Sequence, residues 1–517
     1  MSDYLLLGAV TFIALGTSFL LRPKYQRPPA YIGDREDVTT LVRTAAIKKT
    51  AMWEVFDGLA KKYGDIFSFE LGGKPIVVLN SAQMATDLLD KRGDIYSSRP
   101  RLIMAHEILA GNLRGLSAPY GEYWRKWRKI QHTGMSGRAS LAYREHQALE
   151  STILLRDLAL DSSNYSSLVE RFAVSVVTSI SYGKRASSLE EEAVRSYNGT
   201  TFIFLRSGNS LTGLCLRSSI IGFGKQIVDD WPSLLWLPRR LQWFRHDADK
   251  KFAGDTSFYV QLLRDVRKRM DAGTAKECMS SRSLEAPSGN VSEVELAYSV
   301  AAPFGAGVDT TSGSIEYAIL AMILYPETAH RVQVELDAVV GRGRFPGFED
   351  ESALPYLRSF ILELSRWRPP VSLAVPHAVT RDDFFRGGRI AKGTTVYGNI
   401  YTMMQDPVMF PEPEEFQPER FPNDKIASDF TIPFGFGRRQ CPGMHVASQS
   451  LFIVIARLLW AFDVVSLSTP DPHSYVNHGL VRGPGKISFE LRFRDKDARR
   501  LVEAEAAEAE ERLKEWA

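Results

Sequence analysis

The sequence has few cysteines and little net charge. Its 517 residues include only Cys215, Cys278 and Cys441, which are too few and too widely spaced for a disulfide framework or a CxxC zinc pattern. The 64 lysines and arginines nearly balance the 61 aspartates and glutamates, so the net charge is +3. A concentrated basic footprint of the kind that binds nucleic acid is absent. The sequence therefore favours a reducing compartment and no nucleic-acid partner.

A long apolar run occurs at the N-terminus. The residues from Tyr4 to Leu21 carry no charge, and as a helix they would extend about 27 Å, close to the thickness of a hydrocarbon core. Basic residues follow from Arg22, and such residues stay on the cytosolic side of a membrane. The alternative, a cleaved signal peptide, would need a basic segment before the run. We expect a membrane anchor over residues 1–21 and a connector over 22–50.

Helical periodicity dominates the rest of the chain, and no internal repeat is present. Residues 66–71 and 75–79 flank a glycine pair and predict a β-hairpin. Ser292 and Glu295 form a capping box that predicts a long helix ending near Tyr325. Other helices are predicted over 51–63, 121–133, 142–160, 165–183, 250–271, 354–367 and 442–462, short extended pieces over 371–400, and irregular structure over 276–290 and 407–440.

The predicted fold is mainly α with small β-sheets, in one large domain over residues 51–495. Residues 496–517 form a charged tail that is predicted to be a solvated helix, with pairs four residues apart at Glu508–Arg512 and Glu510–Lys514. The segment 198–228 is rich in serine and glycine, and its sequence favours no structure.

The most informative stretch runs from Phe434 to Gly443 and reads FGFGRRQCPG. Two glycines before Cys441 permit a tight loop, and Pro442 is suited to the first position of the following helix. A cysteine at a helix N-terminus is favoured as a thiolate, which is a good soft ligand for iron. Arg439 is placed to reach an anionic group on the same face.

This loop resembles the F-x-x-G-x-R-x-C-x-G motif of the cytochrome P-450 superfamily at all five specified positions. The matching residues are Phe434, Gly437, Arg439, Cys441 and Gly443. The resemblance implies a single large cytochrome P-450-type domain with haem b as cofactor and Cys441 as its axial iron ligand. A thiolate ligand of this kind favours cleavage of the O–O bond.

Two further motifs resemble the same family. Glu363 and Arg366 match its E-x-x-R, with Arg420 in a downstream P-E-R-F, and the three residues are interpreted as a structural lock, since a buried charge needs a partner. Asp309 and Thr310 lie in A-G-x-D-T-T, in a helix that Pro303 and two glycines weaken. The resemblance makes this acid–alcohol pair a proton relay to dioxygen bound at the haem.

The family also binds the haem propionates through basic and indole side chains. Trp124 and Arg128 resemble its W-x-x-x-R, His377 resembles a strand histidine, and Arg99 resembles a further propionate arginine. Two buried carboxylates require donors of this kind. The alternative for His377 is an ordinary surface histidine.

A separate electron donor is implied, because the chain has no candidate flavin or nicotinamide domain. Arg125, Lys129 and Arg438 are predicted to form a basic surface for an acidic donor, with a solvated helix face as the alternative. The resemblance implies that this donor is an NADPH-cytochrome P-450 reductase on the same membrane, and the expected location is the endoplasmic reticulum with the catalytic domain in the cytosol.

The predicted activity is hydroxylation of a lipophilic small molecule, and the form of the cysteine loop resembles fungal enzymes of natural-product pathways. The alternative is a haem-thiolate isomerase or dehydratase, or a haem protein without turnover. Family members that do not activate oxygen often lack the acid–alcohol pair, which is present here. The residues expected to line the substrate pocket are apolar: Ile103, Met104, Phe202, Phe204, Phe304, Val371, Leu373, Leu480 and Val481.

Overall fold

The computed structural model describes residues 40–42, 50–71, 73–190, 227–287, 289–422, 429–478 and 480–516, and this part of the chain is mainly helical with small sheets. The predicted anchor over 1–21, most of the connector and most of 198–228 lie outside the described residues. The helices are α1 (Met52–Tyr63), α2 (Ala82–Ala85), α3 (Gly93–Tyr96), α4 (Glu122–Met135), α5 (Gly137–Ser140), α6 (Arg144–Leu160), α7 (Tyr165–Tyr182), α8 (Ile227–Asp230), α9 (His246–Asp271), α10 (Met279–Glu285), α11 (Glu293–Val300), α12 (Ala302–Leu324), α13 (Pro326–Val339), α14 (Pro355–Trp367), α15 (Ile400–Met404), α16 (Met444–Ala461) and α17 (Lys496–Leu513).

The strands form one four-stranded sheet and three two-stranded sheets in the described residues. They are β1 (Ile66–Leu71), β2 (Lys74–Leu79), β3 (His377–Ala378), β4 (Asp383–Phe385), β5 (Gly388–Ile390), β6 (Thr395–Gly398), β7 (Phe462–Ser466), β8 (Tyr475–His478), β9 (Val481–Pro484) and β10 (Phe489–Phe493). The larger sheet has the order β1-β2-β6-β3, in which β2 and β6 are parallel and the other pairs are antiparallel. The predicted hairpin is therefore confirmed as β1–β2.

The main apolar core lies between α6, α7, α12, α13, α14 and α16. Among the described residues, α16 is the one helix that is long and apolar enough to cross a membrane, and most of it is buried inside the protein. A helix that is apolar on all sides is stable only where other elements cover all of it. The helix that follows the cysteine loop is therefore part of the apolar core.

The predicted long helix from Ser292 is interrupted at Ala301. The capping box is confirmed, because Ser292 accepts from the Glu295 N–H and the Glu295 carboxylate accepts from the Ser292 N–H. Pro303 then removes an N–H from the helical ladder. The Ser299 carbonyl, which that N–H would have reached, accepts instead from Gln131 Nε2 at 2.8 Å. The chain consequently forms α11 and α12 in place of one helix.

The prediction of irregular structure over 276–290 is wrong for its central part, where α10 forms. Cys278 caps this helix, since its sulfur accepts from the Ser281 N–H while Ser281 Oγ accepts from the Cys278 N–H. Cys278 and Met279 are fully buried, and Met279 packs against Gly134 of α4. Two apolar anchors are too few to produce a recognisable period, so the sequence pattern missed this helix.

The prediction of a solvated tail is also wrong, because α17 packs one face against α6. Ala498, Val502, Ala506, Ala509 and Leu513 are buried along this face. Small alanines allow the two helices to approach closely, and they carry too little hydrophobicity to suggest burial from sequence.

Only one of the two predicted ion pairs in the tail is present. Arg512 contacts Glu508 at 3.6 Å. Glu510 instead binds Arg185 at 2.8 Å and Arg156 at 3.2 Å, while Lys514 binds Glu511. The acidic face of α17 thus pairs with basic residues of the domain.

Candidate functional site

The cysteine loop is closed by its own backbone. The Cys441 N–H donates to the Phe434 carbonyl at 2.8 Å. Gly437 has a φ of +55°, and a Cβ there would lie 2.3 Å from the Leu89 carbonyl oxygen. Only glycine meets both conditions, so Gly437 fixes the path of the chain towards Cys441.

The surroundings of Cys441 differ from the prediction in two respects. The following helix begins at Met444, with Gly443 as its N-cap, so Pro442 does not occupy its first position. Burial raises the pKa of the thiol, although the Gly443 N–H and the Arg128 guanidinium oppose that shift.

The three residues interpreted as a structural lock are in contact. Glu363 and Arg366 are both completely buried, and the carboxylate accepts from Arg366 Nε at 2.7 Å and Nη2 at 2.8 Å. Arg420 Nε lies 3.3 Å from the same carboxylate. Arg366 also donates to the carbonyls of Met404, Pro413 and Glu415. The triad thus ties α14 to the chain that leads into the cysteine loop.

Four of the predicted cofactor-binding residues, three arginines and one histidine, lie together in one cluster. Arg439 donates to the carbonyls of Ser97, Gly115 and Ala118, and Arg99 donates to those of Leu116, Val375 and Pro376. Arg128 Nη1 reaches the Gln440 carbonyl at 2.7 Å. His377 is buried, not on the surface, and its Nδ1 lies 2.8 Å from the Tyr96 carbonyl.

This cluster is electrostatically unfavourable without an anion. Burial and repulsion from Arg99 and Arg128 lower the pKa of Arg439 to about 8, and burial lowers the pKa of Arg99 to about 9. Burial and the positive charges of Arg99 and Arg439 hold the pKa of His377 well below its usual value. Among the described residues, none of the three arginines pairs with a carboxylate. Such a cluster suits a ligand that carries carboxylates of its own.

Two indole N–H groups at this place are buried without a hydrogen-bond partner. Trp124 Nε1 and Trp127 Nε1, both on α4, have no acceptor among the described residues. The Trp124 ring lies 4.3 Å from the Arg439 guanidinium, and Gly115 packs flat against the Trp127 ring. Buried polar groups rarely stay unsatisfied. The donors therefore fit a haem, whose propionates supply acceptors. Trp127 was not predicted, although the repeated W-R in WRKWR places it one helical turn from Trp124.

Asp309 and Thr310 lie on α12, which packs against α16. The helix is continuous through Gly305 and Gly307, so the weakening predicted from these glycines does not interrupt it. Thr310 Oγ1 donates to the Ala306 carbonyl at 2.8 Å, and Asp309 is buried. Ala306, one turn before Thr310, is exposed.

The predicted basic surface is present on α4 and the cysteine loop. Arg125, Lys129 and Arg438 are all exposed. Tyr120 joins two of them, because its hydroxyl accepts from Arg438 at 2.6 Å and its ring lies 5.9 Å from the Arg125 guanidinium. The tyrosine was not identified from the sequence.

The predicted pocket residues do not form a single wall. Ile103 and Met104 pack against Leu234 and its neighbours, Phe304 packs into the cluster around α9 and α11, and Leu373 joins the cluster around α1. Val481 is buried, and Val371 and Leu480 are half-buried. Phe202 and Phe204 lie outside the described residues.

Comparison with known proteins connects this site to a family. Residues 40–491 match the family model of cytochrome P450. A cytochrome P450 monooxygenase of Armillaria gallica is 31% identical in an alignment of 519 positions that covers 97% of this chain and 96% of that protein. Cytochrome P450 monooxygenase 58 of Postia placenta is 33% identical over 84% of this chain and 83% of its own. Cytochrome P450 monooxygenase aneD of Aspergillus aculeatus is 30% identical over 89% and 87%.

The fold is also found in solved structures. A zebra fish cytochrome P450 determined with progesterone superposes with a TM-score of 0.69 and 23% identity, over 86% of this chain and all of that one. At this identity the likeness supports the mainly helical architecture alone.

Proposed function

The chain belongs to the cytochrome P450 family of haem-dependent monooxygenases, and we propose that it hydroxylates a lipophilic small molecule at a haem iron bound by Cys441. Members of the family use haem b, a redox partner and lipophilic substrates. The observation that carries the assignment of the site is the cluster of Arg99, Arg128, Arg439 and His377 beside the loop that contains Cys441. In the described part of the chain, this cluster has no acidic partner.

The residues of this chain are suited to hold the cofactor. Cys441 would provide the iron ligand, and this cluster with Trp124 would bind the propionates. When bound, the haem supplies an iron centre with a thiolate ligand, at which dioxygen is activated. The Phe434 carbonyl accepts from the Cys441 N–H, and the Gly443 N–H donates to the Cys441 sulfur. These two hydrogen bonds hold the backbone on either side of Cys441.

Thr310 and Asp309 are proposed to deliver protons. The Thr310 hydroxyl holds its proton against the Ala306 carbonyl, and its oxygen keeps lone pairs that can accept another. A carboxyl next to an alcohol on one helix forms a short relay. Because members that do not activate oxygen often lack this pair, its presence supports a monooxygenase over an isomerase, a dehydratase or a haem protein without turnover.

A carbon monoxide difference spectrum of the reduced full-length chain tests the iron ligand. We expect a thiolate-type Soret band, and Cys441→Ala should lose that band. Cys278→Ala is the matched control and should keep it. A thiolate band retained by Cys441→Ala would rule out the assignment. Thr310→Ala should keep the band while more reducing equivalents are lost to peroxide; unchanged coupling would remove Thr310 from the proton relay.

The electron donor is proposed to be a membrane-bound NADPH-cytochrome P450 reductase that docks on Arg125, Lys129 and Arg438. Exposed arginines and lysines around one tyrosine form a surface that attracts acidic partners. Charge reversal of all three should slow NADPH-driven reduction at low salt, whereas reduction by dithionite should be unchanged. Reversal of Arg499 and Arg500, on the tail, is the control. Equal rates in both variants would refute this docking surface.

We also propose attachment to the endoplasmic reticulum membrane through residues 1–21, with the catalytic domain in the cytosol. A second contact is supported by Trp236 and Trp243, which are 72% and 50% exposed and lie beside the exposed Arg239 and Arg240. Tryptophans next to basic residues suit a membrane interface.

Liposome binding of a chain that lacks residues 1–21 tests the second contact. Trp236→Ser with Trp243→Ser should reduce binding. Leu160→Ser, at a leucine that is 79% exposed elsewhere, should leave it unchanged. If the variant with both tryptophans replaced binds liposomes as well as its parent, Trp236 and Trp243 do not form the second contact.

The substrate is proposed to belong to fungal secondary metabolism. The support is that the relatives compared above are fungal monooxygenases and that apolar residues surround α12. Incubation with panels of fungal terpenes and polyketides, followed by mass spectrometry for a gain of one oxygen atom, tests this class. Oxidation of only polar compounds would contradict it.

A further inference from the structure

A cavity of about 140 Å³ lies away from the cysteine loop, where α1, α12, the end of α14 and the β8–β9 hairpin meet. The residues that face it are mainly aromatic or charged, and they include Trp53, Tyr317, Tyr401 and Arg482. None of these side chains has a role in the function proposed above.

Arg482 is buried in this cavity without a counter-ion. Its side chain is 5% exposed, and its Nε donates to the Pro369 carbonyl at 3.4 Å. Nη2 is buried and has no hydrogen-bond partner. Within the part of the chain that the structure describes, Arg482 makes no ion pair. Burial lowers the pKa of this guanidinium, and the positive charge of Arg368 lowers it further. A buried cation in this state is unfavourable unless an anion joins it.

Aromatic rings hold the guanidinium in place. It lies 4.6 Å from the Trp53 ring, 5.2 Å from the Tyr401 ring and 5.9 Å from the Tyr317 ring. These cation–π contacts fix the side chain but do not neutralise its charge. Nη2 has no acceptor among the described residues, and the planar guanidinium matches the two oxygens of a carboxylate.

The other charged residues select for a single negative charge. Arg368 is already paired with Glu414 at 3.3 Å, so Arg482 is the one cation of the cavity left for a ligand among the described residues. Glu54 and Asp57 also line the cavity and would repel a second negative charge. The volume is comparable with that of a cavity of about 150 Å³ that accommodates benzene.

We propose that this cavity binds a small organic monocarboxylate, with the carboxylate on Arg482 and the apolar part against the aromatic side chains. Fluorine NMR of the full-length, haem-loaded chain tests the proposal with two probes of nearly the same shape, 4-fluorobenzoate and 4-fluorobenzamide. Benzoate should bind at least tenfold more tightly than the uncharged amide, without a change in the Soret band. Equal affinities would overturn the proposal, as would displacement of benzoate by an equal concentration of inorganic phosphate.

Variants locate the site. Arg482→Met should abolish the tenfold preference for benzoate, whereas Arg500→Met, at a side chain that is 82% exposed, should retain it. A preference that survives in Arg482→Met would refute the assignment. Because loss of Arg482 removes packing as well as charge, Tyr401→Phe serves as a milder variant that keeps the ring. It should preserve the preference, and the comparison of the two probes on the unmodified chain remains decisive if Arg482→Met does not fold.

Discussion

Replacement of Glu363 by glutamine tests whether the buried triad is a structural lock. The carboxylate is completely buried. It accepts from Nε and Nη2 of Arg366, from Nε of Arg420 and from the Gln417 N–H. Glu363→Gln would leave two buried guanidinium groups with no negative charge, and would turn an amide N–H₂ towards donors. Breaking a buried pair in this way costs about 3–5 kcal/mol. A domain has only about 5–15 kcal/mol of stability in total, so the variant should lose a large part of it.

The expected result is a lower urea midpoint for loss of the thiolate-type carbon monoxide band, together with poor haem retention. A cost of about 3 kcal/mol lowers the ratio of folded to unfolded protein more than a hundredfold. Asp497→Asn is the control, because its pair with Arg500 is exposed on both sides and such pairs contribute about 0–1 kcal/mol. If Glu363→Gln retained haem and the same midpoint but lost turnover, the triad would be part of the chemistry and the structural interpretation would fail.

Three further predictions follow from individual contacts. Gly437→Ala places a Cβ 2.3 Å from the Leu89 carbonyl oxygen at a φ of +55°, so we expect reduced haem incorporation, measured by absorbance. Gly343→Ala, where a Cβ meets nothing within 4 Å, is the control and should incorporate haem normally. Equal incorporation in the two variants would mean that the loop adapts to the added Cβ. Leu513→Ala removes a fully buried side chain of α17 and should lower the free energy of unfolding by about 2–5 kcal/mol, measured by chemical denaturation. The exposed Glu511→Ala should change it little. Equal stability of the two variants would support the original prediction of a solvated tail. Burial lowers the pKa of His146 from about 6.5 to about 4. As the pH falls, His146 is therefore protonated in the unfolded chain before it is protonated in the folded chain. This difference should lower the free energy of unfolding by about 3 kcal/mol between pH 6.5 and pH 4. His146→Gln should flatten that part of the pH profile, and an unchanged slope would show that another group is responsible.

Local sequence features predicted the regular elements well. The capping box at Ser292, the hairpin over 66–79 and the helix before Pro369 all depend on residues within a few positions of each other, and all are present. The break at Pro303 was also encoded locally, since proline cannot donate to the ladder, but a weakened helix was predicted where an interruption occurs. The helix over 279–285 was missed because its stability comes from burial of Cys278 and Met279, which no short pattern reveals.

The sequence predicted only the part of the site that short motifs encode. The motifs around Cys441, Asp309 and Glu363 identified the family and the order of its elements. They did not predict that Trp127 joins Trp124 as a donor without a partner, or that Tyr120 links two residues of the basic surface. They also suggested a thiolate from the helix N-terminus, whereas the pKa of Cys441 depends on how deeply the folded protein buries it.

The sequence by itself determined the helical periodicity, the caps, the tight glycine loop before Cys441 and the membership of a haem monooxygenase family, because each of these depends on residues that are close in the chain. The tertiary structure alone decided which distant segments meet. It gathered Arg99, Arg128, His377 and Arg439 from four parts of the chain into one buried cluster, covered the alanine face of the tail, and enclosed Arg482 among aromatic rings. Burial and the balance of charge arise from these tertiary contacts, because desolvation depends on everything that surrounds a group and not on its neighbours in sequence.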